Sequence, residues 1–487
     1  MKKKHFIGWL VILFLIFGIN NLFSFSEKKK LEKQKEMAIG WVDENQELLV
    51  KISDQLWNFA ETALLEYKSS ELLIDALKKA GFEVEKGVAG MPTAFVATYG
   101  NGEPIIGILA EYDALPGLSQ KVLPWKEPIE EGAPGHGCGH NLFGTGSLGA
   151  ALAVKYVMEK YSLPGTVKLF GCPAEETVVG KTYMAREGIF DDLSAAIAWH
   201  PSTITKVNTG SSLALNNFKV SFYGYTSHAA SDPWNGRSAL DAVELMNNGV
   251  NFLREHIRPT ARIHYIILNG GKAPNVVPDY AQVWYYVRDI NRKNVEEIYQ
   301  RVLNIIKGAS LMTETEYKVE FITAVHSILH NITGSRKMHK NLEKVGPPKF
   351  TLEEIDFAKK IQEACEKERK GLNQEIKPFK LTPEERGGST DVAEVSRITP
   401  TVQLNVACAP LNIPWHSWAV VASSGHSIGH KGMLIAAKVM AMTALDFLND
   451  SKLLEKMKKK FIKETGGKKY KTPLPEGQKL LLPEKRT

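Results

Sequence analysis

The chain has 487 residues, of which 44% are hydrophobic and 24% are charged, with 39 Gly, 23 Pro, 4 Cys and a formal net charge of +7. These values exclude a disordered chain, a collagen-like chain and a small disulfide-stapled protein, because the apolar fraction is ordinary and the cysteines are few. The length leaves room for roughly two to four domains.

The positive charge is concentrated at the two ends of the chain. Residues 1–35 carry a net +6 and residues 450–487 a net +7, which leaves the body between them at −6. A basic groove that neutralises phosphates is therefore not expected, and we predict no nucleic-acid partner. We interpret the basic ends as solvated tails or as segments at a membrane surface. Residues 449–487 are accordingly predicted to be a basic C-terminal tail.

Residues 1–26 have the pattern of a signal peptide or an N-terminal membrane anchor. Three lysines, Lys2, Lys3 and Lys4, precede an uninterrupted apolar run of 14 residues over 6–19. That length lies at the upper end for a signal-peptide core and below the roughly 20 residues of a spanning helix. We therefore predict export to the periplasm or the cell exterior, with attachment to the membrane through an uncleaved helix as the alternative.

Helices and buried strands then alternate up to residue 212. Apolar spacing predicts helices within 43–80 and over 142–161, and short apolar runs predict strands at 94–97, 105–109, 166–171 and 195–199. This alternation favours an α/β domain whose mainly parallel sheet is flanked by helices. In such sheets, ligand-binding groups lie just past the carboxyl ends of the strands.

The pattern changes between residues 213 and 330. A strand–helix–strand–strand–helix–strand order is predicted there, at 218–223, 238–255, 262–268, 281–288, 293–307 and 317–324. This β-α-β-β-α-β order is the ferredoxin-like unit, and it fits a second domain inserted into the first. The first domain should resume after a polar, Lys-rich stretch over 331–349, with a helix at 353–369, a strand at 401–406 and a closing helix at 433–448.

Four short stretches combine side chains that can bind a metal ion. They are GHGCGHN (135–141), CPAEE (172–176), WHP (199–201) and PWHSW (414–418). Thiolate, imidazole and carboxylate groups are the ligands that zinc and related metals prefer. Of two adjacent carboxylates after a strand, one can bind metal while the other acts as general base for a metal-bound water.

Each of these stretches also has a simpler interpretation. A lone His or a Glu-Glu pair is commonly a polar surface or capping residue. Cys138 could also be a nucleophile paired with His140, although two residues on one loop make that geometry awkward. Cys172, Cys365 and Cys408 are expected to be small buried hydrophobes.

Eight motifs in a fixed order carry a family resemblance. They are AEYDALPGLSQ, GHGCGHNLFGTGSLGAA, CPAEE, AWHPS, YTSHAASDPWNGRSALDA, APNVVPDYA, GGSTDVAEVS and PWHSW. Over residues 38–448 the chain resembles the zinc/manganese amidohydrolase family that contains aminoacylases, hippurate hydrolases and auxin-conjugate hydrolases. The resemblance implies a catalytic domain, 38–212 and 331–448, interrupted by a lid or dimerisation domain, 213–330. It also implies two divalent metal ions, zinc or manganese, and a homodimer or a heterodimer with a homologous subunit.

The resemblance assigns roles to particular residues. It implies a catalytic acid/base, Glu175, and five metal ligands, which are Cys138, His140, Glu176, His200 and His416. His228 resembles a residue that reaches a neighbouring active site, and Asn275 resembles a ligand for the substrate carboxylate. A loop that lines the pocket is implied at Gly388, Ser389 and Thr390.

One position departs from the family pattern. Many members carry His-x-Asp where this chain has Glu111-Tyr112-Asp113, so the usual His ligand is absent. Whether Glu111 or Asp113 contacts metal stays open at this point.

The implied reaction is hydrolysis of the amide bond of an N-acyl amino acid by a metal-bound hydroxide. Overall resemblance suggests p-aminobenzoyl-glutamate or a similar aryl amide of an acidic amino acid as substrate. Arg288 and Arg237 are available to pair with a carboxylate, although such arginines are more often structural. The alternatives are a peptidase or aminoacylase with another substrate, and a non-catalytic or partner-dependent subunit of a hetero-oligomer. The intact ligand set argues against an inactive scaffold.

Overall fold

The computed structural model describes residues 27–381 and 387–483. The predicted signal peptide or anchor over 1–26 lies outside the described residues. Three helices come first, α1 (27–44), α2 (Gln46–Phe59) and α3 (Tyr67–Lys79). The next elements are β1 (Glu83–Lys86), β2 (Phe95–Asn101), β3 (Ile105–Glu111), α4 (His140–Tyr161), β4 (Gly165–Cys172), α5 (Gly180–Arg186), β5 (Ala195–Ser202) and β6 (Lys206–Asn208).

The inserted segment has the predicted ferredoxin-like order. Its elements are β7 (Ala214–Tyr223), α6 (Ala239–Leu253), β8 (Arg262–Asn269), β9 (Tyr280–Asp289), α7 (Arg292–Thr313) and β10 (Glu316–Val325). The four strands form an antiparallel sheet in the order β10-β7-β9-β8. Alternate residues of β9, such as Val283, Tyr285 and Val287, are buried in a core shared with both helices, as expected for a sheet covered on one face. We call this segment the lid domain, after the role that the family resemblance implies for it.

The chain then returns to the first domain. The returning elements are α8 (Ile332–Val345), α9 (Leu352–Ala364), α10 (Val392–Ile398), β11 (Thr401–Ala407), α11 (Trp418–Ser424), α12 (Ser427–Asn449) and α13 (Ser451–Thr465). They complete a seven-stranded sheet in the order β1-β2-β4-β3-β5-β11-β6. Strands β4, β3, β5 and β11 run parallel, so their carboxyl ends meet at one edge of the sheet. This confirms the predicted α/β architecture.

Helices α4 and α12 are almost entirely buried and pack together on the parallel strands. Small residues make this close packing possible. A Cβ added to Gly146 of α4 would lie 2.9 Å from the indole of Trp199 on β5. Among the described residues, α12 is the one helix long and apolar enough to cross a membrane, and its apolar stretch is mostly buried inside the protein.

Two C-terminal segments differ from the sequence prediction. The Lys-rich stretch over 331–349 contains α8, which buries Met338 and Leu342 and begins at an Asn331 cap. Helix α13 lies within the predicted tail and buries Leu453 and Met457. In both segments, sparse apolar residues at helical spacing were hidden by the high lysine content. The closing helix also begins earlier than predicted, at Ser427.

The cysteines are free in the structure. Cys172 and Cys408 are buried, as expected for small hydrophobes, whereas Cys365 is half-buried.

Candidate metal centre

The carboxyl edge of the parallel strands collects the predicted metal ligands. Glu175 and Glu176 stand in a short 3-10 turn directly after β4, and His200 lies near the end of β5. Cys138 lies in the glycine-rich loop before α4, and His140 is the first residue of that helix. Gly139 has a φ of +78°, a left-handed conformation that glycine adopts readily, and it turns the chain between the two side chains.

Two sets of potential ligands share Cys138. In one set, the ligand atoms of Cys138, His140 and His200 lie within 4.8 Å of one another. In the other, those of Cys138, Glu176 and His416 do so. The Cys138 Sγ lies 3.4 Å from His200 Nε2, and His416 Nε2 lies 3.5 Å from Glu176 Oε2. One shared thiol between two ligand sets suits a pair of metal ions.

Buried atoms without hydrogen-bond partners support this interpretation. His140 Nε2 and Glu176 Oε1 are buried, and neither atom has a hydrogen-bond partner in the structure. Buried polar atoms are rarely left unpaired, and a bound ion is one explanation for such an exception. The thiol, imidazole and carboxylate groups also match the preferences of zinc and neighbouring divalent metals. The residues therefore fit a dinuclear metal site.

Asp113 and Glu111 have different positions around His140. The Oδ1 of Asp113 accepts a 2.8 Å hydrogen bond from His140 Nδ1, and its Oδ2 accepts one of 2.8 Å from the Glu176 backbone N–H. Asp113 thereby directs the opposite ring nitrogen, Nε2, towards the ligand cluster, as partners of metal-binding histidines commonly do. Glu111 Oε2 lies 3.4 Å from that same Nε2. Glu111, His140 and Glu175 form a third group of potential ligands.

The protonation states follow from burial. Burial raises the pKa of the Cys138 thiol to about 12 and the pKa of Glu176 well above its ordinary value. Burial lowers the pKa of His200 to about 3, so its imidazole is neutral at pH 7. Burial opposes a charged His140, yet the neighbouring Cys138 and Asp113 raise its pKa well above the ordinary value. Without metal, the Cys138 thiol therefore retains its proton at neutral pH.

A buried lysine forms ion pairs with two carboxyl groups next to this cluster. Lys181 of α5 is fully buried, and its Nζ lies 2.8 Å from Glu111 Oε1 and 2.6 Å from Asp391 Oδ1. Burial raises the pKa of Glu111 to about 8 and that of Asp391 to about 7. Burial alone would lower the pKa of Lys181, but Asp391 and Glu111 raise it well above its ordinary value. This ion network connects Glu111, the last residue of β3, to Asp391, the residue before α10.

A cavity of about 420 Å³ opens in front of the cluster. Its lining includes Glu175 and four of the five predicted ligands, with His140 lying behind them. The predicted loop residues Gly388, Ser389 and Thr390 also line it. From the lid domain, Tyr286 and Arg288 of β9 and Leu215 of β7 complete the wall. The cavity therefore lies between the sheet edge and the lid.

His228 and Asn275 do not line this cavity. Both are located on the lid domain and lie next to each other, since the Ala229 N–H donates a 3.0 Å hydrogen bond to the Asn275 carbonyl. Arg237 is also remote from the cavity and pairs with Glu314 at 2.7 Å. Of the two arginines that the sequence offers for a carboxylate, Arg288 alone is a cavity residue.

Comparison with known proteins identifies the family. Residues 107–408 match the peptidase family M20/M25/M40. The chain is 40% identical over 462 residues to a p-aminobenzoyl-glutamate hydrolase subunit of Escherichia coli (strain K12), covering 89% of this chain and 96% of that protein. The chain belongs to the M20/M25/M40 peptidase family. It is therefore a hydrolase, as the motifs predicted.

Other relatives in this family act on different compounds according to their names. Xaa-Arg dipeptidase of Mus musculus is 29% identical over 90% of this chain and 94% of its own length. Aminobenzoyl-glutamate utilization protein from Klebsiella pneumoniae superposes with a TM-score of 0.58 at 18% identity, covering 84% of this chain and 97% of that one. A dinuclear metal binding peptidase from Bacillus subtilis gives a TM-score of 0.56 at 17% identity, covering 83% and 99%. These likenesses establish the fold.

Several contacts of this M20-family site were not predicted from the sequence. Trp415 Nε1 donates a 3.2 Å hydrogen bond to the Cys138 Sγ, and Gln403 and Asn405 of β11 line the cavity. In the Trp-His pair at 415–416, the sequence pattern pointed to the histidine only. A polar residue inside an otherwise apolar strand, as in β11, was the available signal for Asn405.

Metal affinity should increase with pH. The Cys138 thiol retains its proton at neutral pH without metal, so its coordination must release a proton. For each proton released, the affinity should increase about tenfold per pH unit. Competition against a chelator at pH 6, 7 and 8 measures this slope, and calorimetry in buffers of different ionisation enthalpy counts the protons. Replacing Cys138 with Ser should reduce the slope as well as the affinity. An affinity independent of pH would contradict Cys138 as a ligand.

Proposed function

We propose that this hydrolase cleaves the amide bond of an N-acyl amino acid, with p-aminobenzoyl-glutamate or a similar aryl amide of an acidic amino acid as its substrate. The observation that carries the proposal is the 40% identity to the E. coli hydrolase subunit over nearly the whole of both chains. The two ligand sets around Cys138 would hold two divalent ions, zinc or manganese. When bound, such ions activate water and polarise a carbonyl oxygen.

Glu175 is placed to move the proton in this reaction. Its side chain lines the cavity and is 10% exposed, and its Oε2 lies 3.9 Å from His140 Nε2. Glu176 is the neighbouring carboxylate in a ligand set with Cys138 and His416, and Glu175, which also belongs to the third group with Glu111 and His140, would serve as the base. Glu175 would take a proton from the attacking water and deliver it to the departing amine nitrogen. The amide bond thereby breaks into an acid and an amino acid.

Arg288 supports the preference for an acidic amino acid. It projects from β9 into the cavity and its Nε is buried with no hydrogen-bond partner. Its guanidinium carbon lies 5.2 Å from the ring centre of Tyr286. A guanidinium group held on an aromatic ring is well suited to bind a carboxylate through two hydrogen bonds. A glutamate product offers two carboxylates, one more than a neutral amino acid.

The first experiment measures metal content and amide hydrolysis together on the full chain. About two metal ions per chain and turnover of p-aminobenzoyl-glutamate, faster than of p-aminobenzoyl-glutamine, would support the proposal. Arg288→Gln should raise KM for the glutamate amide about tenfold or more while changing the glutamine amide less. Arg237→Gln is the matched control. Bound metal with turnover of neutral amides or dipeptides alone would contradict an acidic substrate. That result would favour the alternative function, a peptidase or aminoacylase that acts on another substrate.

We also propose that the working form is a dimer, either of this chain or with a homologous subunit. The E. coli relative is named as one subunit of its hydrolase, and a Haemophilus influenzae homologue of a second such subunit is 29% identical over 47% of this chain and 57% of its own length. His228 and Asn275 lie outside the cavity of their own chain, and β8 is an edge strand with exposed Ile266, Ile267 and Leu268. Apolar edge strands are prone to pair with another chain.

Complementation between two inactive variants tests whether His228 acts on a partner's site. His228→Ala and Glu175→Gln, each weakly active alone, should regain about a quarter of wild-type activity when co-expressed in equal amounts, since half of the dimers are mixed and each mixed dimer has one complete site. The co-purified mixed dimer, isolated with two different tags, gives the direct measurement. Mixed dimers that remain as inactive as the parents would contradict a role for His228 in trans. Dimers that form only with a second gene product would favour the partner-dependent subunit.

We also propose that the protein is exported. This proposal rests on Lys2 to Lys4 and the apolar run over 6–19. The mass of the protein recovered from the exported fraction distinguishes a cleaved signal from an anchor.

A further inference from the structure

Three helical segments bring 18 of the chain's 61 Lys and Arg residues together at one edge of the molecule. They are residues 27–35 at the start of α1, helix α8, and helix α13 together with residues 466–471 that follow it. These segments contain only 5 Asp/Glu, which gives a net +13, while the rest of the chain is −6. We call this surface the basic face. Such a separation of charge is large enough to orient the molecule in an electric field or against a charged surface.

The three segments are joined by specific contacts, with α8 in the middle. Lys35 of α1 is buried and bonds Asn341 of α8 at 3.1 Å and Asp446 of α12 at 2.7 Å. Lys344 of α8 pairs with Glu32 of α1. On the other side of α8, the Asn331 side chain donates a 2.9 Å hydrogen bond to the Met457 carbonyl of α13. The charges therefore belong to one packed unit.

The exposed basic residues follow helical stripes. In α13, the exposed residues Lys452, Lys456, Lys459 and Lys463 recur at spacings of three and four, beside the buried Leu453 and Met457. In α8, Arg336, Lys340 and Lys344 recur every four residues and are exposed. Exposed lysines at the start of α1 are Lys28, Lys29, Lys30 and Lys33. The exposed acidic residues among them are Glu27, Glu32, Glu343, Glu455 and Glu464.

The basic face lies at the edge of the sheet opposite the metal centre. The Asn331 N–H, just before α8, donates to the carbonyl of Thr401, the first residue of β11. Leu448, at the end of α12, lies against Gly165, the first residue of β4. The metal ligands lie instead at the other ends of these strands. A flat surface covering the basic face would leave the substrate cavity open to solvent.

We propose that the basic face docks on an anionic lipid bilayer. In the sequence, the α1 part of the face follows directly on residues 1–26, which contain three more lysines and the apolar run over 6–19. An apolar segment next to clustered lysines in the sequence is the combination that binds anionic membranes, whereas binders of single-stranded nucleic acid combine their positive charge with aromatic side chains on which bases stack. Electrostatic docking holds whether residues 1–26 are cleaved or retained.

Vesicle sedimentation of the full chain tests the docking. The chain should prefer phosphatidylcholine vesicles containing roughly one-third phosphatidylglycerol over pure phosphatidylcholine, and about 0.5 M salt should remove the preference. Replacing Lys456, Lys459 and Lys463 with Gln should lower the partition to anionic vesicles about tenfold or more. The matched control replaces three exposed lysines outside the face, Lys78, Lys126 and Lys318, and should behave as wild type. Amide hydrolysis should be unchanged in both variants, which separates this test from that of the proposed function.

Three outcomes would overturn the proposal. Equal binding to neutral and anionic vesicles would assign any attachment to the apolar run alone. A triple variant that binds anionic vesicles as tightly as its control would remove the basic face from the interaction. The chain could instead bind a duplex RNA oligonucleotide more tightly than anionic vesicles and lose this binding in the same triple variant. That result would identify a nucleic acid as the partner of the basic face and would contradict docking on a lipid bilayer.

Discussion

Replacing Glu175 with Gln should lower turnover about 100-fold or more while leaving the bound metal in place. General acid/base residues typically contribute factors of about 10² to 10⁴. Glutamine keeps the size of the side chain in the cavity but cannot take up a proton from water. Glu175 lies outside the two ligand sets that share Cys138 and occurs only in the third group with Glu111 and His140, so as the base it should leave the metal content at the wild-type value.

The neighbouring carboxylate provides the sharpest comparison. Glu176→Gln should lose metal as well as activity, since Glu176 belongs to the ligand set with Cys138 and His416. Glu131→Gln, in an exposed loop before the glycine-rich segment, should change neither. Metal content by elemental analysis and turnover on p-aminobenzoyl-glutamate together distinguish the three variants. A fully active Glu175→Gln enzyme would remove Glu175 from the mechanism, and loss of metal in this variant would make it a ligand instead.

Replacing Lys181 with Met should destabilise the metal-free protein by about 3–5 kcal/mol, the usual cost of removing one partner from a buried ion network. Lys181 Nζ contacts both Glu111 and Asp391, and all three side chains are at most 1% exposed. Without the ammonium group, these carboxyl groups can stay buried only in their protonated forms. Urea unfolding of the metal-free variant measures the change in the free energy of unfolding.

The pH dependence of this loss follows from the direction of the pKa shifts. The pKa values of Glu111 and Asp391 are already raised to about 8 and about 7, and removing Lys181 would raise them further. A carboxyl group whose folded pKa is raised stays protonated in the folded state while the unfolded chain ionises above about pH 4. The loss in Lys181→Met should therefore be larger at pH 8 than at pH 5.

An exposed pair serves as the control for Lys181. Lys86 pairs with Glu71 at 2.5 Å, with side chains 39% and 52% exposed. Lys86→Met should cost under about 1 kcal/mol, because exposed ion pairs contribute little. If Lys181→Met were equally mild at pH 8, the network would not stabilise the loop around Asp391.

Much of the fold follows from local sequence patterns. The sequence predicts the buried strands at 105–109 and 195–199, because a strand buried on both faces is a continuous apolar run. It also predicts the β-α-β-β-α-β order over 218–324, where a strand buried on one face alternates apolar and polar residues. The same patterns failed for α8 and α13. In each of these helices, a few apolar residues lie among many lysines. They are buried because α8 packs against α12 and α13.

The sequence by itself determined the residue types at the metal centre and their order along the chain. Cys138, His140, Glu176, His200 and His416 follow strand ends or a glycine-rich turn, and parallel strands bring such positions to one edge. The tertiary structure decided what each residue contacts. Asp113 orients His140, Lys181 joins Glu111 to Asp391, and His228 lies outside its own cavity. Contacts between residues far apart in the chain, such as Lys181 and Asp391 or Cys138 and Trp415, depend on how the layers pack, which no local pattern records.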